Sequence, residues 1–387
     1  MIPELRRDFN RRFTAEKYQA FLSLLDERCG THVKFRICET PCFFPAGLIE
    51  SMRTAGAELI HQLVQNEPYL EAARRQIPPG FRVQNEPARP MFIQVDFGLV
   101  RDADGELAPK LVEIQAFPSL YAYQPVLERT YRDAYGLTVP LPDHHEAPFQ
   151  RAILGDHAPE NVVLLEIDPY NQKTLPDFLL TAKSTGIRIA DIREIRKIQN
   201  KLYLDGIPIE RIYNRAIADE LIRTHTQADF RFDDDLEVEW AGHPNWFFLI
   251  SKFSLPYLKH PTVPECWFLD KTRLYKTNPV PGDLENYVLK PLYSFAGLGV
   301  KVGPTREDID AIPVAERPHY LLQRRMQFEP IIETPFGLTQ AEIRVMYIWL
   351  DDLTPVSLII RMGRGKMMGV DHNRDMEWVG ASAAFLA

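Results

Sequence analysis

Cysteine is scarce in this sequence: Cys29, Cys38, Cys42 and Cys266 are the only four in 387 residues. That is too few to staple a chain of this length, so a hydrophobic core must hold it. Cys38 and Cys42 in "CETPC" could ligate a metal, yet no second Cys/His pair at suitable spacing accompanies them. Reduced, partly buried thiols and a cytoplasmic location are the expectation. Excess positive charge is missing too. A net charge of −8 argues against nucleic acid as a partner, since backbone binding needs a basic surface to displace counterions. No apolar run reaches about 18 residues, so no membrane span is expected. "MIPELRRDFNRRF" likewise lacks the apolar stretch of a secretion signal. There are no repeats, and the 31 prolines are scattered, marking turns rather than a linker.

What is present is ordinary globular material, 45% hydrophobic and 25% charged, long enough for about two or three domains. "TAEKYQAFLSLLDERCG" and "PAGLIESMRTAGAELIHQLVQ" have helical spacing. The period then changes. "RPMFIQVDFGLVRDADGELAPKLVEIQAFPSL" reads as two strands around a turn at Asp104-Gly105. "NVVLLEIDPYNQKTLPDFLLTAKSTGIRIADI" has the form of a βαβ unit, with Thr174 and Asp177 spaced as a capping box at the helix start. "IERIYNRAIADEL" runs from strand into helix with Arg215 near the junction, and from about Asn245 a helix precedes further strands.

Two stretches carry chemistry. In "YVLKPLYSFAGLGVKVG" a buried-type strand ends on Lys290 and opens into Ser294-Phe295-Ala296-Gly297-Leu298-Gly299. A lysine there with glycine-freed backbone amides suits a polyanion such as a nucleotide phosphate tail; a plain hairpin whose lysine reaches water has the same pattern. Asp96 ends one alternating strand, and Glu113 and Gln115 share a face of the next, because strand side chains repeat every two residues. Paired through the Asp104-Gly105 turn, these three form an oxygen-rich set suited to Mg²⁺, or else the solvated face of an exposed hairpin.

"VDFGLVRDADGELAPKLVEIQAFPSL" resembles the magnesium-binding segment of glutathionylspermidine synthases and eukaryotic-type glutathione synthetases. "VLKPLYSFAGLGV" resembles their Lys-Pro strand and glycine loop over the ATP phosphates. The order, metal strands before phosphate lysine, is similar to that of circularly permuted ATP-grasp enzymes. The resemblance implies an α/β (α+β) chain with a permuted ATP-grasp fold and an inserted Rossmann-like βαβ substrate domain. Residues 1–150 would supply N-terminal helices and metal strands, 151–245 the substrate domain and 246–387 the nucleotide part. It further implies Lys252 in "ISKFSLPYL" as a second phosphate lysine, Gln323 in "YLLQRRM" beside adenine, and Arg361 in "LIIRMGRG" at the transferring phosphate. Asn373 lies in the loop after Arg361, and Arg215 in "RIYNR" corresponds to a substrate-carboxylate arginine. Gln115 stands where the family has asparagine, and Phe295 and Ala296 depart from its loop.

The implied reaction is ATP- and Mg²⁺-dependent ligation of a small-molecule carboxylate to an amine through an acyl phosphate. Asp96, Glu113 and Gln115 would hold the metal, Lys252, Lys290 and the loop 294–299 the phosphates, and Arg361 the developing charge. The turn "GHPN" makes His243 and Asn245 further substrate candidates, Trp246 reads as core, and Gln172 and Lys173 follow the first strand of the βαβ unit. The rival readings are an ATP sensor without turnover and a small-molecule phosphotransferase.

Overall fold

The computed structural model describes all residues except 143–145, 270–279, 294–297, 366–367, 369–372 and 374. Its spine is an antiparallel sheet in the order Gly380–Ser382, Leu353–Gly363, Gly337–Trp349, Phe92–Arg101 and Leu107–Gln115, with Ile332–Thr334 added to Gly337–Trp349. Strand alternation gives this sheet two unlike faces. Ile93, Val95, Phe97, Ile343, Val345, Leu358 and Ile360 point backward into the largest core. The helix Ala46–Val64 covers that side, and the Tyr347 hydroxyl donates to Arg53 O at 2.7 Å. Gly56 is required there, because a Cβ would come within 2.2 Å of the same hydroxyl.

The front face is split along its length. At one end Phe92, Met346, Ile348 and Ile359 pack beneath a parallel sheet with Phe149, Leu164, Phe178 and Tyr213. That sheet, in the order Glu239–Ala241, Arg211–Asn214, Val162–Glu166 and Arg188–Asp191, takes all its strands from 151–245. At the other end Asp96, Glu342, Arg344 and Arg361 replace the apolar residues and leave the face open to a cavity.

A second antiparallel sheet, Cys266–Phe268, Tyr320–Arg324, Tyr287–Pro291 and Lys301–Val302, closes the cavity from above. The chain joins the two antiparallel sheets through 325–331, where Glu329 N bonds Leu99 O at 2.7 Å and Phe328 lies over Gly98. Only glycine fits at 98: a Cβ would stand 2.1 Å from the Phe328 ring.

One local expectation changes. Thr174 makes no side-chain cap. Asp177 is instead buried, accepting from Leu120 N at 3.1 Å, Ala122 N at 2.9 Å and Tyr123 N at 3.0 Å, so it caps the start of the helix Tyr123–Tyr135. Three donors at another helix start satisfy the carboxylate better than its own helix would. Cys38 and Cys42 are buried with their sulfurs each 3.5 Å from Met362 Sδ. No described helix is long and apolar enough to cross a membrane.

Candidate active site

Three sheets meet around a cavity of about 810 Å³. Its floor is the polar half of the six-stranded sheet, where the register sets charges against one another. Asp96 stands opposite Glu113 on one side and Arg344 on the other, and Glu342 stands opposite Arg361. Like charges opposite each other are destabilising, so the Asp96–Glu113 pair demands a cation.

Arg344, unnoticed in the sequence, supplies it. Its Nε donates to Asp96 Oδ1 at 2.5 Å, Nη2 to Asp96 Oδ2 at 2.7 Å and Nη1 to Gln94 Oε1 at 2.8 Å. The network orients the Gln115 amide so that its oxygen accepts from Arg344 Nη2 at 2.7 Å and Nη1 at 3.1 Å. Arg361 Nη2 reaches both Asp96 and Glu342. Burial would raise Asp96, but Arg344 and Arg361 hold it below the usual carboxylate range. Burial would lower Arg361, yet Glu342 and Asp96 keep it above its ordinary value.

The roof brings two further expected residues down onto the edge strand of the floor. Between the pairs Asp96↔Glu113 and Phe97↔Leu111 the ladder slips, leaving Val112 as the extra residue of a bulge. Lys290 Nζ donates to the Val112 carbonyl at 3.1 Å, and Gln323 Nε2 donates to Leu111 O at 3.3 Å. Lys290 is buried, which lowers its pKa; Glu113 opposes that shift and Lys252 adds to it. Lys252 opens the 3₁₀ turn Lys252–Tyr257, its Nζ 3.8 Å from Glu113 Oε2. At the end of the glycine-rich stretch 294–299, Gly299 has φ +72° with a would-be Cβ 2.9 Å from Pro291, and Leu298 is exposed. Ser294, Ala296 and Gly297 lie outside the described residues.

The parallel sheet supplies the third wall. Arg215, just past the strand Arg211–Asn214, is 3% exposed and sits over the rings of Phe117 and Phe178 at 5.2 and 5.3 Å. Its Nε and Nη1 have no hydrogen-bond partner among the described residues. Such a buried guanidinium is costly to leave unpaired. Glu166 lines the same wall, and burial, outweighing Arg215, pushes its carboxyl up to about 8. Gln172 lines it as well, donating Nε2 to Ile167 O at 2.8 Å.

Asp96, Glu113, Gln115, Lys252, Lys290, Gln323, Arg361 and Arg215, far apart in sequence, all line this one cavity. His243 and Asn245 do not. His243 Nε2 bonds Gln84 O at 2.9 Å, while Asn245 accepts from Val83 N at 2.9 Å and donates to Val83 O at 3.0 Å and Glu86 at 2.9 Å. They pin the segment 83–86, as a turn rich in side-chain hydrogen-bonding groups does when a neighbouring backbone needs partners. Trp246 is buried and donates to Pro87 O. Asn373 is buried outside the cavity lining, and its Oδ1 accepts from Arg364 N at 3.2 Å and Gly365 N at 3.3 Å, shaping the loop whose Gly365 reaches the cavity.

The three oxygen donors expected for Mg²⁺ do not form a vacant ligand set. Both Asp96 oxygens and the Gln115 amide oxygen are engaged by guanidinium groups, leaving Glu113 between Lys252 and Arg344 at 3.8 and 3.9 Å. Among the described residues no group of three His, Cys, Asp or Glu side chains is placed to hold a metal. Spacing places the three donors on facing strands, while the arginine that engages them belongs to the next strand.

No protein-family model matches the sequence, and no curated protein matches it. Among solved structures, a glutathione synthetase-like effector from Globodera pallida, in its apo form, is similar with a TM-score of 0.62. The match covers 96% of each chain at 13% identity. The chain thus has a glutathione synthetase-like fold, mixed α/β with several sheets.

Proposed function

We propose that this protein is an ATP-dependent carboxylate–amine ligase of circularly permuted ATP-grasp type. The observation that carries the reading is the convergence on one cavity of two lysines under one sheet, Arg361 on a second and the unsatisfied Arg215 on a third. The lysines suit a triphosphate, and a buried guanidinium with two nitrogens lacking hydrogen-bond partners among the described residues suits a substrate carboxylate held bidentately.

In this reading Lys252 and Lys290 hold the phosphates while the substrate's reacting carboxylate faces the γ-phosphorus. One carboxylate oxygen forms a bond to that phosphorus as the bond to the ADP oxygen breaks. Arg361 neutralises charge on the group in transfer. The acceptor amine then attacks the acyl carbon, phosphate leaves with the bonding electrons, and the amine's proton passes to solvent. No general base is needed in the first half, since a carboxylate is ionised at neutral pH. Arg215 binds a second carboxylate of the substrate, away from the reacting one.

The engagement of Asp96 by Arg344 and Arg361 favours a second reading, a nucleotide-binding sensor without turnover. A screen of amino acids, polyamines and short peptides for stimulated ADP and phosphate release, with product masses recorded, separates the two. The ligase reading requires release that depends on both an acid and an amine, and a new amide mass. ATP binding with no stimulated release by any pair moves the assignment to the sensor. With a substrate pair found, Arg215→Met should raise the KM for the acid by about 10- to 100-fold with kcat little changed.

A further inference from the structure

The acidic face that the fold turns toward the nucleotide already holds a cation of its own. Asp96 and Glu113 are cross-strand neighbours, a like-charge pair that is stable only with positive charge between or beside them. Arg344, opposite Asp96 on the other side, meets both Asp96 oxygens, Gln94 and the Gln115 amide, and stands 3.9 Å from Glu113. One side chain thus satisfies two of the three groups that would otherwise ligate a divalent ion. It does so from a strand in the middle of the sheet, 8% exposed, where it has little room to withdraw.

We propose that Arg344 takes the place of the divalent cation at this site, so that the nucleotide binds as the metal-free polyphosphate. The inference rests on the nucleotide reading above. A small hard ion such as Mg²⁺ needs several oxygens at about 2.0–2.1 Å in near-octahedral order. To gain Asp96 and Gln115 it must strip Arg344 of its partners and leave a buried guanidinium unpaired, which is strongly unfavourable. The charge on the phosphates is met instead by the protein. Lys252, Lys290 and Arg361 line the cavity, and with Arg344 they set four cations against the three carboxylates of Asp96, Glu113 and Glu342. Locally the cluster carries an excess of positive charge before any nucleotide enters, which favours a polyanion and disfavours a divalent cation.

Calorimetric titration of the full chain with ATP, once in EDTA and once with excess MgCl₂, reads this directly. Binding should be tight in EDTA and weaken by about tenfold or more in excess MgCl₂, which withdraws the metal-free nucleotide from solution; equal dissociation constants in the two conditions overturn the inference. Arg344→Gln keeps hydrogen bonding but removes the charge. It should weaken binding in EDTA by about tenfold or more and make added Mg²⁺ strengthen binding rather than weaken it. Arg344→Lys, which keeps the charge, should bind ATP in EDTA more tightly than Arg344→Gln, and serves if the glutamine variant is unstable. Mn²⁺ paramagnetic resonance adds a second readout: the protein with ATP should immobilise no more Mn²⁺ than ATP alone. Tight binding that disappears in EDTA overturns the inference and leaves the nucleotide reading standing. Absence of binding in both conditions overturns the nucleotide reading, and the inference with it.

Discussion

Two buried arginines face the same cavity and differ in every respect that matters. Arg344 is saturated: two carboxylate oxygens and two amides take its donors. Arg215 is buried more deeply, yet two of its nitrogens have no hydrogen-bond partner among the described residues. Their surroundings differ in the same sense. Beside Arg344, Asp96 is held below its ordinary pKa; beside Arg215, burial lifts Glu166 to about 8. A satisfied buried ion pair belongs to the scaffold, whereas an unsatisfied buried charge is stability left uncollected until a ligand arrives. The contrast sets a floor whose charges compensate one another against a third wall with unsatisfied donors among the described residues.

The hardest blow to that contrast would come from Asp96. Asp96→Asn leaves Arg344 and Arg361 without their shared charge partner, and the expected cost is about 3–5 kcal/mol of unfolding free energy. Denaturant unfolding measures it, and a loss below about 1 kcal/mol would show that the floor is not held by this pair.

Next in size is a pH effect on the third wall. Glu166 binds its proton up to about pH 8 in the folded protein but only to about pH 4.3 when unfolded. Between those values the folded state holds the extra proton, so this group makes stability fall as pH rises and contributes no further change above about 8. The total is a few kcal/mol, and Glu166→Gln should flatten the slope in that window. An unchanged slope in the variant would mean that Glu166 ionises normally beside Arg215.

A smaller change is expected in nucleotide affinity. Lys290→Ala should weaken ATP binding by about 1.5–3 kcal/mol, the range for a hydrogen bond to a charged group, with thermal stability nearly unaltered. Unaltered affinity in a folded variant would remove Lys290 from the phosphate site.

The smallest effect sharpens the comparison most. Arg215→Met, which keeps the bulk between the two rings but drops the guanidinium with its unsatisfied nitrogens, should change stability by less than about 1 kcal/mol in the absence of substrate. A loss as large as that of Asp96→Asn would mean that Arg215 is as firmly partnered as Arg344.

Much of the floor was readable before folding. The alternation in "FIQVDFGLV" and "LVEIQ", with the turn at Gly105, foretold the facing strands Phe92–Arg101 and Leu107–Gln115 and the shared face of Asp96, Glu113 and Gln115. The bulge at Val112, whose carbonyl accepts from Lys290, leaves no local trace. Arg344 did leave a signal: Glu342 and Arg344, two residues apart in the apolar run "AEIRVMYIW", mark a strand with one charged face. His243 and Asn245 leave the opposite kind of signal, polar turn residues that bond the backbone of 83–84 and the Glu86 side chain.

By itself the sequence determined where strands and helices run and which side chains share a face, because periodicity is a property of consecutive residues. It left open whether the lysines and carboxylates beside those apolar runs share the interior or face water on exposed hairpins. Which strands lie together beyond the hairpin at Gly105 was decided only in the folded chain, and with it the partners of Asp96, Glu342 and Arg361 on neighbouring strands. Strand neighbours separated by more than two hundred residues, as Asp96 and Arg344 are, pair through register and sheet order. Those follow from burying all the apolar faces at once, a condition that no local stretch contains.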